Sequence, residues 1–160
     1  MYKILFLIFI SLFFVSCSSK NNAFKYFEKD EVETKGVQYT KKTDILINGN
    51  EVDVIFWATY LNKIDKKISD TNEELFLVSV YFTNKESQDI FENNYSFLLN
   101  GIEPTSLEKV EKDNENFKSL MLKNNWGKYY LVKFASQDVY NLTIQLKDKG
   151  SNSALLNFEK

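Results

Sequence analysis

Apolar residues follow two patterns along this chain. From Ile4 to Val15 they form an almost unbroken run, and from Gly36 onward they come in short clusters separated by Gly, Asn and Asp. The clusters are rich in Val, Ile, Phe, Tyr and Leu, and several alternate apolar with polar at a period of two, as half-buried strands do. Thr43–Ile47 and Glu51–Tyr60 form the first predicted pair, joined by Asn48-Gly49-Asn50. Asn-Gly between two apolar runs predicts a hairpin, because a tight turn between twisted strands needs positive φ. In the second of these strands Val52, Val54, Phe56, Ala58 and Tyr60 share one face, with Glu51, Asp53 and Thr59 on the other. Ile55 and Trp57 interrupt that polar face, so part of it is expected to be covered.

Leu75–Thr83 then places Phe76, Val78, Val80 and Phe82 on one side. Tyr95–Leu99 follows, closed by Asn100-Gly101 and a predicted return strand through Ile102 to Leu107. Pro104, the only proline, cannot donate to a ladder and confines that return to a sheet edge. After the charged interval Glu108 to Lys118, strands are predicted at Ser119–Leu122, Tyr129–Ala135, Tyr140–Lys147 and Ala154–Phe158. Tyr140, Leu142, Ile144 and Leu146 should point inward, and Asn141, Thr143 and Gln145 outward. Seven to nine short strands with turn signals between them, and no long helix, predict an all-β antiparallel sandwich.

Asn125-Trp126-Gly127-Lys128-Tyr129-Tyr130-Leu131 resembles the start of strand F in immunoglobulin-like domains. There an Asp, a small residue, a Tyr and a Cys fall at alternate positions, which would here be Asn125, Gly127, Tyr129 and Leu131. The resemblance implies that the Tyr129 hydroxyl bonds back to the backbone at a corner of the sandwich, a packing role. Tyr130, on the opposite face of the same strand, is then the better candidate for partner contact.

Met1-Tyr2-Lys3 carries one positive charge, the apolar run follows, and Ser16 stands before Cys17, the only cysteine. A basic start, an apolar core and a small residue at the cleavage point make a secretory signal. The run from Ile4 to Val15 has twelve residues, short of the roughly 20 needed to span a bilayer. Phe14-Val15-Ser16-Cys17 resembles the bacterial lipobox, with Phe14 where Leu is usual. The resemblance implies that Cys17 is the lipidated first residue of the mature protein. Ser18 after the cysteine, by Gram-negative sorting rules, implies outer-membrane delivery. The expected division is a signal peptide at 1–16, a lipidated N-terminus and flexible tether at 17–35, and the sandwich at 36–160. Ala58-Thr59-Tyr60-Leu61-Asn62 and Trp126-Gly127-Lys128-Tyr129-Tyr130-Leu131-Val132 resemble stretches of small lipoproteins of epsilon-class Gram-negative bacteria, which pair a lipobox with an immunoglobulin-like sandwich.

With one cysteine and that one expected to be acylated, no disulfide can staple the domain. Stability must come from a core, for which 14 Phe and 9 Tyr supply the material. A formal charge of −2 with Lys and acids interspersed argues against nucleic acid. All 20 basic residues are Lys, a bias that goes with an AT-rich genome. The absence of His removes the commonest general base and metal ligand, and with it a Ser-His-Asp triad or a His-ligated zinc.

Ser106-Leu107-Glu108-Lys109 matches Ser-x-x-Lys, but the Ser-Asp-Asn and Lys-Thr-Gly partners of that nucleophile motif do not occur. Glu103, Glu108, Glu111, Asp113 and Glu115 fit no EF-hand spacing and alternate with Lys, as a solvated loop does. Trp57, Trp126, Tyr129 and Tyr130 can serve either a partner surface or the core. Glu92-Asn93-Asn94-Tyr95-Ser96 resembles the extended acceptor sequon of bacterial N-glycosylation, with Asn94 as acceptor; the alternative is a turn entering a strand. The expectation is therefore a non-enzymatic envelope lipoprotein without a cofactor, held to the membrane through Cys17. It would act as a binding or structural module, with Trp126 and Tyr130 as candidate partner contacts, or serve as a periplasm-facing accessory that assembles or stabilises another envelope protein.

Overall fold

A computed structural model describes residues 31–47, 49–64, 72–122 and 126–160. Cys17 and Asn125 lie outside them. Among the described residues there are one α-helix, α1 (Glu31–Gln38), one short 3-10 helix (Leu61–Lys63) and eight strands: β1 (Thr40–Ile47), β2 (Glu51–Tyr60), β3 (Glu73–Phe82), β4 (Ser96–Leu99), β5 (Ser106–Val110), β6 (Lys128–Ala135), β7 (Asn141–Lys147) and β8 (Ser153–Glu159). They make two antiparallel sheets, ordered β1-β2-β3-β6-β5 and β4-β7-β8.

That order identifies the sandwich. Constant-type immunoglobulin domains pair strands A-B-E-D in one sheet and C-F-G in the other. Lettering β2 through β8 as A through G reproduces both sheets, and β1 is one additional strand paired outside A. The fold is an immunoglobulin-like sandwich without a disulfide. One assignment changes with it: β6, carrying Tyr129 and Tyr130, is strand E, and strand F is β7. A Tyr at the head of a strand is too weak a signal to fix a letter; only the pairing partners do.

The hairpins form where turn chemistry demands them. Gly49 has φ 75° between β1 and β2, and Thr40 pairs with Thr59. Asn100 and Gly101 both have positive φ, 48° and 83°, the geometry of a tight primed turn, and close a backbone pair between Leu99 and Ile102. The return strand predicted there stops at that single pair. The chain crosses at Pro104 to the other sheet, where β5 forms its edge beside β6.

The inner faces meet in one core. Phe56, Phe76, Val78, Val80 and Phe82 from the first sheet pack against Phe97, Leu99, Leu142, Ile144, Leu146 and Phe158 from the second. Aromatic pairs span the sheets, with Phe56 and Phe97 centroids 5.8 Å apart and Phe76 and Phe158 5.4 Å apart. Tyr140, predicted inward, is exposed: it precedes β7, beyond the sheet's end, and its hydroxyl donates to Glu159 at 3.1 Å.

A second apolar layer covers the outer face of the five-stranded sheet. Leu75 and Leu77 of β3, Val110 of β5 and Tyr129 of β6 pack against Phe117 and Met121, with Val32 of α1 and Leu120 against them. Residues 114–121 therefore coil into helical turns, with the Met121 amide bonded to the Phe117 carbonyl, where the sequence predicted a strand at Ser119–Leu122. Helix α1 crosses position 36, where the folded domain was expected to begin. Eight residues make a marginal helix alone. Packing holds it: Gly36 is buried against Leu120, and a Cβ there would stand 2.6 Å from Leu120 Cδ2, so a larger residue would push that side chain aside.

Candidate binding surface

The second layer leaves part of the outer face open. On β2 and β3 the outward positions beyond it are Ile55, Trp57 and Tyr81, all half-buried; Tyr81 lies opposite Ile55, and Trp57 opposite Ser79. The side chain of Trp126, from the segment entering β6, lies against Tyr81 with centroids 5.8 Å apart and planes at 50°. Trp126 is 64% exposed and Leu122, just before it in the described chain, is also exposed. Lys42 of β1 stands 5.9 Å over the Trp57 ring and pairs with Asp44 at 3.2 Å. Lys42 and Asp44 thus border the aromatic patch with one charge of each sign.

Of the partner-contact residues expected from sequence, the structure keeps Trp126 at the surface and removes Tyr130. Tyr130 is fully buried in the main core, its hydroxyl accepting the Ile90 amide hydrogen at 3.2 Å, so it cannot touch a partner. Tyr130 lies on the inner face of β6, where Val132 and Phe134 are buried with it against the other sheet. Burial pushes the Tyr130 hydroxyl pKa up, and that of Tyr129 likewise. Tyr129 does form the predicted backbone bond: its hydroxyl accepts from the Leu122 amide at 2.7 Å. Tyr81 was missed, although alternation with Val80 and Phe82 puts it on the outer face.

The other sequence motifs come out plainly. Ser106 lies on a strand, not a helix, and its hydroxyl donates to Glu108 at 2.9 Å. Among the described residues no group of three or more His, Cys, Asp or Glu could hold a metal ion. Asn94 is exposed, with φ 58°, in the turn leading into β4.

A polar cluster closes one end of the sandwich. Glu74 of β3 is almost fully buried and accepts from the Tyr60 hydroxyl at 2.6 Å, from the Gln137 amide at 3.2 Å and from the Lys160 ammonium. Burial by itself raises the Glu74 pKa, but the bonds from Lys160, Tyr60 and Gln137 together outweigh it and hold the carboxyl below its ordinary value. Burial first, then the carboxylate of Glu74, push the Tyr60 hydroxyl far up. A 340 Å³ cavity beside the cluster is lined by Tyr60, Asn62, Lys63, Glu73, Glu74 and Lys160. With both carboxylate oxygens engaged, Glu74 is a structural tie and not a poised base.

Comparison with known proteins finds no matching family model, no matching curated protein and no matching solved structure. Among the described residues no helix is long and apolar enough to cross a membrane.

Proposed function

We propose that this protein is a bacterial envelope lipoprotein, anchored in the outer membrane by acyl chains on Cys17, whose sandwich binds a protein partner through the surface around Trp126. The signal-like run ending at Phe14-Val15-Ser16-Cys17 supports the anchor, and Ser18 supports the outer membrane as destination. The binding role rests on one observation above the others: Trp126 is 64% exposed while set against Tyr81. A large ring held at the surface by another ring is preorganised for an interface, where Trp and Tyr supply most hot spots. Leu122 extends the apolar area, and Lys42 with Asp44 gives it a polar rim.

Mild crosslinking of intact cells followed by purification of the full chain tests this reading. A defined partner should be captured with the wild type. Trp126→Ala should weaken capture by about 2 kcal/mol or more, the cost expected of a hot spot. Equal capture by wild type and Trp126→Ala would remove the binding surface from this face.

A further inference from the structure

We propose that Asn94 is an N-glycan acceptor and that the first sugars of the glycan settle over Phe91. The inference rests on the export reading above, since the sugar donor for such a transfer is met outside the cytoplasm. Two neighbouring asparagines sit in this loop and are used differently. The Asn93 carboxamide is locked, donating to the Ser87 carbonyl at 2.9 Å and the Asp89 carbonyl at 2.8 Å. The Asn94 carboxamide is exposed and makes no hydrogen bond to any described residue. The free amide therefore belongs to the asparagine that lies in Asn-x-Ser.

The loop presents that amide. The Asn94 amide hydrogen bonds the Phe91 carbonyl at 3.1 Å, and Tyr95, buried on the core side, bonds the Ile90 carbonyl at 2.8 Å. This turn, with φ 58° at Asn94, projects the acceptor outward while the next residue is pinned inward. Glu92 and Ser96, two residues before and after, are both exposed, so the acid and the hydroxyl of the sequon are open to a transferase.

Next to the acceptor lies an open hollow of 500 Å³, lined by Phe91, Asn94 and Ser96 on one side and by Lys147, Asp148 and Lys149 on the other. Phe91 is 62% exposed there. A pyranose has an apolar C–H face and a polar rim, and the hollow offers an aromatic ring with charged groups around it. In the transfer, the bond between sugar C1 and the pyrophosphate of a polyisoprenyl-linked oligosaccharide breaks. A bond from C1 to Asn94 Nδ2 forms, and the proton lost from the amide passes to the medium. The polyisoprenyl pyrophosphate leaves.

The test expresses the full chain in cells that carry an oligosaccharyl transferase accepting acidic sequons, with its lipid-linked donor and a known glycosylated control protein. Two leaders are compared, the chain's own residues 1–16 and a standard cleavable secretory leader. Intact mass should show one added oligosaccharide. The addition should vanish in Asn94→Gly, which keeps the positive-φ turn, and in Ser96→Ala, which keeps the asparagine. Phe91→Ala should accept the glycan but lose the rise in melting temperature that glycosylation gives the wild type. An unmodified chain with the standard leader, in cells whose control protein is modified, overturns the proposal. So does a mass addition that persists in Asn94→Gly. Modification with the standard leader only would sustain Asn94 as acceptor and count against the export reading alone.

Discussion

The Tyr129 hydroxyl accepts the Leu122 amide hydrogen at 2.7 Å and lies 3.4 Å from the Leu122 carbonyl, so one side chain of β6 holds both backbone groups of that residue. Leu122 ends the segment whose Phe117 and Met121 cover the outer face of the sheet. The bond thus fastens the cover to the sandwich, and it does so from strand E instead of strand F. Tyr129→Phe should leave the Leu122 amide short of an acceptor and destabilise the domain by about 1–3 kcal/mol. Chemical denaturation should show a lower midpoint with an unchanged slope. Partner capture through Trp126 should persist if the cover stays in place. A fully stable Phe variant would mean that solvent replaces the bond at no cost.

Phe56 and Phe82 sit on adjacent strands with no exposed surface, in the core between the sheets. Replacing either with Ala removes its buried area and opens a cavity, at a cost of about 3–5 kcal/mol. Against a total stability of about 5–15 kcal/mol, the double variant should fail to give a cooperative thermal transition. The single variants should melt well below the wild type in calorimetry. A change under about 1 kcal/mol for both would contradict the inward register of β2 and β3.

The inner faces were legible because both sheets meet there. Val54, Phe56, Phe76, Val78, Phe82, Leu142, Ile144 and Leu146 are all buried as alternation predicts. The outer face of the five-stranded sheet was not legible, since its cover is α1 and the turns through Phe117 and Met121. These elements have short or irregular apolar spacing and cannot be distinguished from a tether or a charged loop. The resemblance to strand F gave Tyr129 the packing role and so left Tyr130 to the surface, whereas Tyr130 is in the core between the sheets and Tyr129 is buried under the outer cover. Trp126 was identified by residue type alone. Alternation placed Tyr81 on the outer face, but only the folded chain brings Trp126 against it.

The proposed anchor rests on one sulfur, that of Cys17. Cys17→Ser should abolish acylation and release the protein from membrane fractions as soluble or uncleaved precursor. Each buried acyl methylene contributes about 0.8 kcal/mol, so losing the chains removes nearly all membrane affinity. Metabolic labelling with palmitate, followed by fractionation, measures both effects. Label retained on the Ser variant would eliminate Cys17 as the lipidated residue.

The tie between Glu74 and Lys160 should make the domain acid-sensitive in a defined window. Its carboxyl pKa in the folded state lies below the ordinary value of 4.5, so folding favours the ionised form. The stabilisation is present in full above that ordinary value and is lost as pH falls through the lower folded value. Tyr60 acts at the other end: its hydroxyl pKa is raised above the ordinary 10.0, so its contribution is present below pH 10 and lost as the medium becomes more alkaline. Glu74→Gln keeps the side-chain size but leaves the Lys160 ammonium without its counter-charge. This variant should be less stable than the wild type at pH 7, and its melting temperature should fall less steeply below about pH 4.5, because Glu74 no longer has a proton to take up. Thermal scans of both proteins between pH 3 and 8 measure the difference. Parallel acid limbs would assign the acid sensitivity to other carboxylates.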